Sequence, residues 1–150
     1  MTDEEFMRVA ITETKKAELL GEKTSVGAVI VQGSVIISQA HNTAKHADDP
    51  TGHAEINAIR QAAKKLKSKN LPGCTLYVTI EPCVMCFGAA VSAKIPKIVY
   101  GLSLEDMAQA GHRNWKVSST LLNKQFENIL EIEGGFLKEE CLQTLSNRIK

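Results

Sequence analysis

Apolar positions fall at mainly helical spacing along "DEEFMRVAITETKKAELL", where Phe6, Val9, Ala10, Ala17 and Leu20 gather on one side. Thr2 stands where a cap is needed and Gly21 where the helix would stop. The pattern then changes to two runs of strand type, "VGAVIVQG" and "SVIISQA", joined at Gly33-Ser34 as in a hairpin. "HNTAKHADDPTG" has the composition of a loop. Helical spacing returns in "HAEINAIRQAAKKLKSK", with Ala54, Ala58, Ile59, Ala62 and Leu66 on the side to be buried and "KKLKSK" as its solvated end. "LPG" is a turn, "CTLYVTI" a strand rich in β-branched residues, and "CVMCFGAAVSAKI" a short helix of small and apolar residues, interrupted by Pro96. "KIVYG" predicts a fourth strand and "SLEDMAQAG" a short helix ending at Gly111. "NILEIEG" predicts a fifth strand, and "FLKEECLQTLSNRI" an amphipathic closing helix.

The resulting order, α-β-β-α-β-α-β-α-β-α, predicts an α/β fold: a three-layer α-β-α sandwich with a five-stranded mixed sheet and βαβ crossovers after the opening hairpin. No internal repeat, low-complexity tract or linker divides the chain, so residues 1–150 are expected to form a single domain. A chain of 150 residues can bury roughly two-thirds of its unfolded surface.

The chain is 43% hydrophobic and 23% charged, with a formal net charge of +1. No global field therefore draws it to nucleic acid or membrane, although a local basic patch stays open. No apolar stretch follows "MTDEEFMRVA", and no run approaches the ~18 residues of a membrane span, so the expected address is cytoplasmic. In that reducing compartment the four cysteines are not expected to form disulfides. Cys74 and Cys141 sit in apolar patterns and read as packing residues, which leaves Cys83 and Cys86.

The Cys-x-x-Cys of "EPCVMC" can be a redox pair, half of a structural zinc site, or half of a catalytic one. Thirty residues upstream lies "HAE", with His53 and Glu55. His53, Cys83 and Cys86 are three ligands of zinc-preferred type, whereas a structural zinc normally closes its shell with four. Among His41, His46, His112, Cys74 and Cys141, none forms a second Cys-x-x-Cys or a His-x-x-x-His unit. Both segments open helices directly after Pro or Gly, and a helix N-terminus favours thiolate over thiol. Glu55, two residues from His53 in the first turn, is placed to face a water on the metal. Zinc lowers the pKa of its water to about 7, and a neighbouring carboxylate can shuttle the proton. A redox pair would leave His53 and Glu55 idle, and a scaffold needs no general base.

His-x-Glu…Pro-Cys-x-x-Cys is the signature of zinc-dependent nucleobase deaminases. From "VGAVIV" to "ECLQTL" the chain resembles the cytidine deaminase-like family, most specifically in "DPTGHAEINAIR" and "TLYVTIEPCVMCFGA". The resemblance is to the branch holding guanine, cytosine and tRNA adenosine deaminases. It implies one Zn2+ per chain on His53, Cys83 and Cys86, Glu55 as the catalytic acid and base, and hydrolytic release of ammonia. It also implies a cytidine deaminase-like fold and a homodimer, for which "CFGAAVSA" offers a close-packing surface. Asn42, Val26 and Gly27 would line the ring pocket, with helix N-terminal amides near Ala54 facing the developing charge. By its setting alone Asn42 reads equally as a turn residue.

Substrate choice turns on the segment after the fourth strand. The tRNA enzymes of the branch carry a loop of the type D-x-K-x-G-A-x-G-S and a strongly basic terminal helix. Here the chain reads "LSLEDMAQAGHRN" and ends "LSNRIK", and Ser25 stands where those enzymes have Pro. "EDMAQAG" is closer to the guanine deaminase pattern D-A-A-E-A-G. The acidic residues expected next are replaced by His112, Arg113 and Asn114. His112, Asn114 and Trp115 read either as a pocket rim or as turn and packing residues. The expected substrate is thus a small amino-substituted base or related heterocycle of guanine or cytosine type. Adenosine in a tRNA loop is the alternative within the enzyme class, and a non-catalytic zinc-stabilised binding domain the alternative outside it.

Overall fold

The computed structural model describes residues 1–112 and 116–146. Helix α1 (Asp3–Leu19) opens with a reciprocal capping box between Thr2 and Glu5, which satisfies two amides that the first turn leaves without partners. It leads through Gly21 (φ +80°) to β1 (Gly27–Gln32) and β2 (Val35–His41), an antiparallel hairpin turning at Gly33. Next come α2 (Ala54–Leu66), β3 (Cys74–Ile80), α3 (Val84–Ser92) and β4 (Lys97–Leu102). The described chain closes with α4 (Leu104–Gln109), α5 (Ser119–Gln125), β5 (Glu131–Glu133) and α6 (Lys138–Ser146).

The strands form one five-stranded mixed sheet in the order β2-β1-β3-β4-β5, antiparallel across β1 and parallel from β3 to β5. Alternation along each strand sends side chains to two separate cores. Ala28, Ile30, Leu76, Val78 and Ile98 face Ala54, Ala58 and Ala62 of α2 and Phe87 and Ala90 of α3. Val29, Val31, Tyr77 and Val99 face Phe6, Met7 and Ala10 of α1 and Cys141 and Leu145 of α6. The three-layer sandwich expected from the alternating pattern is the fold observed. Cys74 and Cys141 are fully buried, one in each core. Among the described residues no helix is long and apolar enough to cross a membrane.

Three local features depart from the sequence expectation. Helix α5 falls in a stretch to which the sequence pattern assigns no element. It has only seven residues, and its start depends on the Ser118 hydroxyl accepting from the Leu121 amide rather than on an apolar stripe. The fifth strand is confined to three residues because the chain leaves the sheet at Gly134-Gly135. A Cβ at Gly134 would run into the Tyr100 ring, and Gly135 has φ +76°. Helices α2 and α3 also end earlier than their patterns suggest, where Lys67 and Lys94 adopt left-handed φ.

Candidate metal and active site

Because β1 runs against β2 and β3 while β3 and β4 run together, one end of the sheet gathers the start of β1 and the ends of the other three. Gly27 pairs with His41, Ala28 with Val78, and Ile80 with Leu102. Helices α2, α3 and α4 begin at this same end, so their amide-rich N-termini converge beyond the carboxyl ends of the strands, where α/β sheets bind ligands.

His53 and Cys83 are the N-cap residues of α2 and α3, and neither side chain caps its own helix. A Ser or Asp at either position would be worth about 1 kcal/mol of helix stability. The side chains instead face each other across the gap between the two helices. His53 Nδ1 lies 3.6 Å from Cys83 Sγ and 3.4 Å from Cys86 Sγ, one helical turn on. Tetrahedral zinc with ordinary Zn–N and Zn–S bonds would separate these atoms by about 3.6 Å. Among the described residues, these three form the one cluster of possible metal ligands, with all donor atoms within 4.8 Å of one another. The thiol of Cys86 donates toward Cys83 and, with His53, holds Cys83 down to about 4. The same contact and burial push Cys86 far up. Two buried sulfurs cannot both ionise side by side without a cation between them, so the donor set fits zinc in chemistry as well as spacing.

The other fourth-ligand candidates are elsewhere. His41 Nδ1 bonds Glu13 at 2.8 Å, and Cys74 and Cys141 lie in the two cores. Glu55 stands outside the ligand cluster. It is 4% exposed, it lines the cavity described next, and burial raises its pKa.

A cavity of about 490 Å³ opens over this cluster, within the range of small-molecule sites. His53, Ala54, Glu55 and Cys83 form its floor. One wall comes from the loops before β1 and after β2: Glu22, Lys23, Thr24, Val26, Asn42 and Lys45. The Asn42 side chain accepts from the Val26 amide (2.8 Å) and donates to the Thr24 carbonyl (2.5 Å), tying these loops together. Glu22, 2% exposed, accepts from the amides of Lys45 (3.0 Å) and His46 (2.9 Å). The opposite wall is Ile80, Glu81, Leu104 and Met107.

Of the residues expected in the pocket, Val26, Asn42 and Ala54 line it. Gly27 does not. A Cβ there would collide with the Ala10 carbonyl, so its glycine serves the close approach of α1 to β1, and its amide donates to Thr79 Oγ1 at 3.1 Å. His112 is also outside the lining; its amide donates to the Met107 carbonyl at 2.9 Å, and its buried Nε2 has no partner among the described residues. Asn114 and Trp115 lie outside the described residues. The sequence reading missed Glu22, Lys23, Lys45, Glu81, Leu104 and Met107. Only Glu81 carried any signal, its place beside Pro82-Cys83.

Residues 1–102 match the family model of the cytidine and deoxycytidylate deaminase zinc-binding region. The chain is 41% identical over 145 residues to the tRNA-specific adenosine deaminase of Haemophilus influenzae, covering 96% of this chain and 81% of that one. A solved structure from work on A-to-I editing by tRNA:A34 deaminases superposes with a TM-score of 0.80 at 30% identity, covering 94% of this chain and 99% of that chain. The guanine deaminase of Bacillus subtilis gives a TM-score of 0.70 at 32% identity, covering 85% and 92% respectively.

Proposed function

We propose that this chain, which belongs to the cytidine and deoxycytidylate deaminase zinc-binding family, converts adenosine to inosine in the anticodon loop of a tRNA. It is a zinc-dependent deaminase. The finer reading reverses the order expected from the loop after β4, which favoured a free guanine- or cytosine-type base. The observation that carries it is near-full-length similarity, at 41% identity, to an enzyme named for tRNA adenosine. The cavity is consistent with it, since Lys23 and Lys45 lie at its edge, exposed, where phosphates flanking an inserted base would pass.

In this reading residues 1–150 act as one deaminase domain. His53, Cys83 and Cys86 hold the zinc, which when bound activates the water that attacks the ring. Glu55 takes a proton from that water and delivers it to the ring nitrogen beside the reacting carbon. It then carries the second proton to the exocyclic nitrogen, so that ammonia leaves and a carbonyl remains. Burial suits Glu55 to this exchange, because it raises the carboxyl's pKa and so favours the protonated form that donates. Val26 and Ala54 fill the space around the ring, and Asn42 holds the loop that presents Val26.

We also infer a homodimer. Its support is an exposed apolar surface around α3 and α5: Val84, Leu121, Phe126 and Ile129 are each at least 38% exposed, and Gly88 faces open space.

The test is inosine formation by the zinc-loaded protein in an anticodon stem-loop with adenosine at the first anticodon position. Inosine should appear, at a rate that falls as salt rises. Ammonia release from guanine with no inosine in the RNA would replace this reading with the free-base one, which the guanine deaminase similarity favours.

A further inference from the structure

We propose that Glu81 is a positioning residue for substrate selection, a clasp that holds both ends of the segment from Leu104 to Ser119 against the zinc end of the sheet. This rests on the deaminase reading above and deepens it, since that segment supplies one wall of the cavity.

Glu81 follows the last residue of β3. Its own amide donates to the Leu102 carbonyl at 2.7 Å, extending the contact between β3 and β4 by one residue. Pro82 then turns the chain into Cys83, so the backbone of Glu81 is fixed on one side by the sheet and on the other by a ligand position. Its carboxylate, in a residue 5% exposed, does something unrelated to the metal. Oε1 accepts from the amide of Leu104 at 3.0 Å. Oε2 accepts from the amide and the hydroxyl of Ser119, both at 2.6 Å.

Leu104 and Ser119 are the first residues of α4 and α5, helices of six and seven residues. Helices this short are not stable alone, and each already has a local cap, Ser103 for α4 and Ser118 for α5. Neither cap reaches the other helix. Glu81 joins the two starts, so one buried group fixes α4 and α5 relative to each other. Leu104 and Met107 of α4 belong to the wall facing the Val26 and Asn42 side. Lys138 of α6 adds an outer tie to Asp106 at 3.0 Å. The position of the wall relative to the zinc ligands thus depends on a carboxylate two residues from Cys83. A neutral amide in its place has a single acceptor oxygen for three donors.

The experiment uses full-length, zinc-loaded Glu81→Gln and Ser119→Ala, with the anticodon stem-loop or guanine as substrate, whichever the wild type turns over. Glu81→Gln should keep one zinc per chain and a kcat within about threefold of wild type, while KM rises about tenfold; Ser119→Ala should raise KM about threefold. An unchanged KM in a folded Glu81→Gln would overturn the clasp. So would a fall in kcat that tracks zinc loss, which would assign Glu81 to the metal. If Glu81→Gln does not fold, the same KM comparison on Ser119→Ala decides.

Hydrogen exchange on the wild type needs no turnover. The amides of Leu104 and Ser119 should be protected well beyond that of exposed Thr120, and equal exchange would contradict the clasp. A wild type silent on RNA but active on guanine would sink the tRNA reading while leaving this test intact.

Discussion

His53, Cys83 and Cys86 reach one another from two neighbouring helix starts, and His53 and Cys83 join Ala54 and Glu55 in the floor of the cavity. The walls are held differently. Glu22 and Glu81 are buried carboxylates that accept backbone amides 23 and 38 residues away, so the side chain is the anchor and the surface offered to substrate is a loop. A floor of this kind fixes the chemistry, because three ligands and Glu55 leave little freedom in what is activated. Walls of this kind can change their lining without changing the carboxylates that hold them.

The largest effect expected from breaking the floor is that of Cys86→Ala. Zinc should drop from one per chain to near zero, inosine formation should become undetectable, and the far-ultraviolet circular dichroism should persist. Neither core cluster includes His53, Cys83 or Cys86, so retained structure is the expected result. Unfolding on metal loss would instead mean that the site is structural.

A smaller effect is expected on the wall. Glu22→Ala leaves the amides of Lys45 and His46 without their acceptor. KM should rise about fivefold with zinc content unchanged. Loss of zinc in this variant would erase the distinction between floor and wall.

Smaller still, and confined to stability, is the role of Glu13 on α1. Its side chain, 2% exposed, bonds Lys16 and Gln39 at 2.9 Å and His41 at 2.8 Å. Burial pushes its pKa up, but the bonds from Lys16, His41 and Gln39 outweigh burial and hold it below the ordinary value. Its stabilisation is therefore complete above the unfolded carboxylate pKa of about 4.3 and is lost as pH falls through the lower folded value. Urea unfolding should find Glu13→Gln weaker by about 2 kcal/mol near pH 7, with the gap narrowing in acid. A gap that widened in acid would contradict the pairing.

The floor was legible in the sequence because its chemistry is carried by short motifs at helix starts. "HAE" and "PCVMC" each announce a helix after Gly or Pro, and the strand pattern brings those helices to one end of the sheet. The sheet itself was legible from "VGAVIVQG", "CTLYVTI" and "KIVYG", whose runs alternate with helical spacing. Of the walls only Val26 and Asn42 were, through the family resemblance; the rest were not, since a carboxylate accepting a distant amide leaves no periodicity, and Glu22 resembles any polar loop residue. Gly27 was assigned to the pocket by the family resemblance, although its small size answers to Ala10 of α1. Helix α5 was missed because seven residues are too few to show a helical period. Weighting the segment after β4 above the rest of the chain also put the free base ahead of tRNA adenosine.

The most direct test of the division between metal holding and proton transfer is to measure zinc content and inosine yield on the same sample of Glu55→Ala. One zinc per chain, with inosine formation lowered by about a thousandfold or more, is the expected result. Near wild-type turnover, or inactivity that came with loss of the metal, would contradict it.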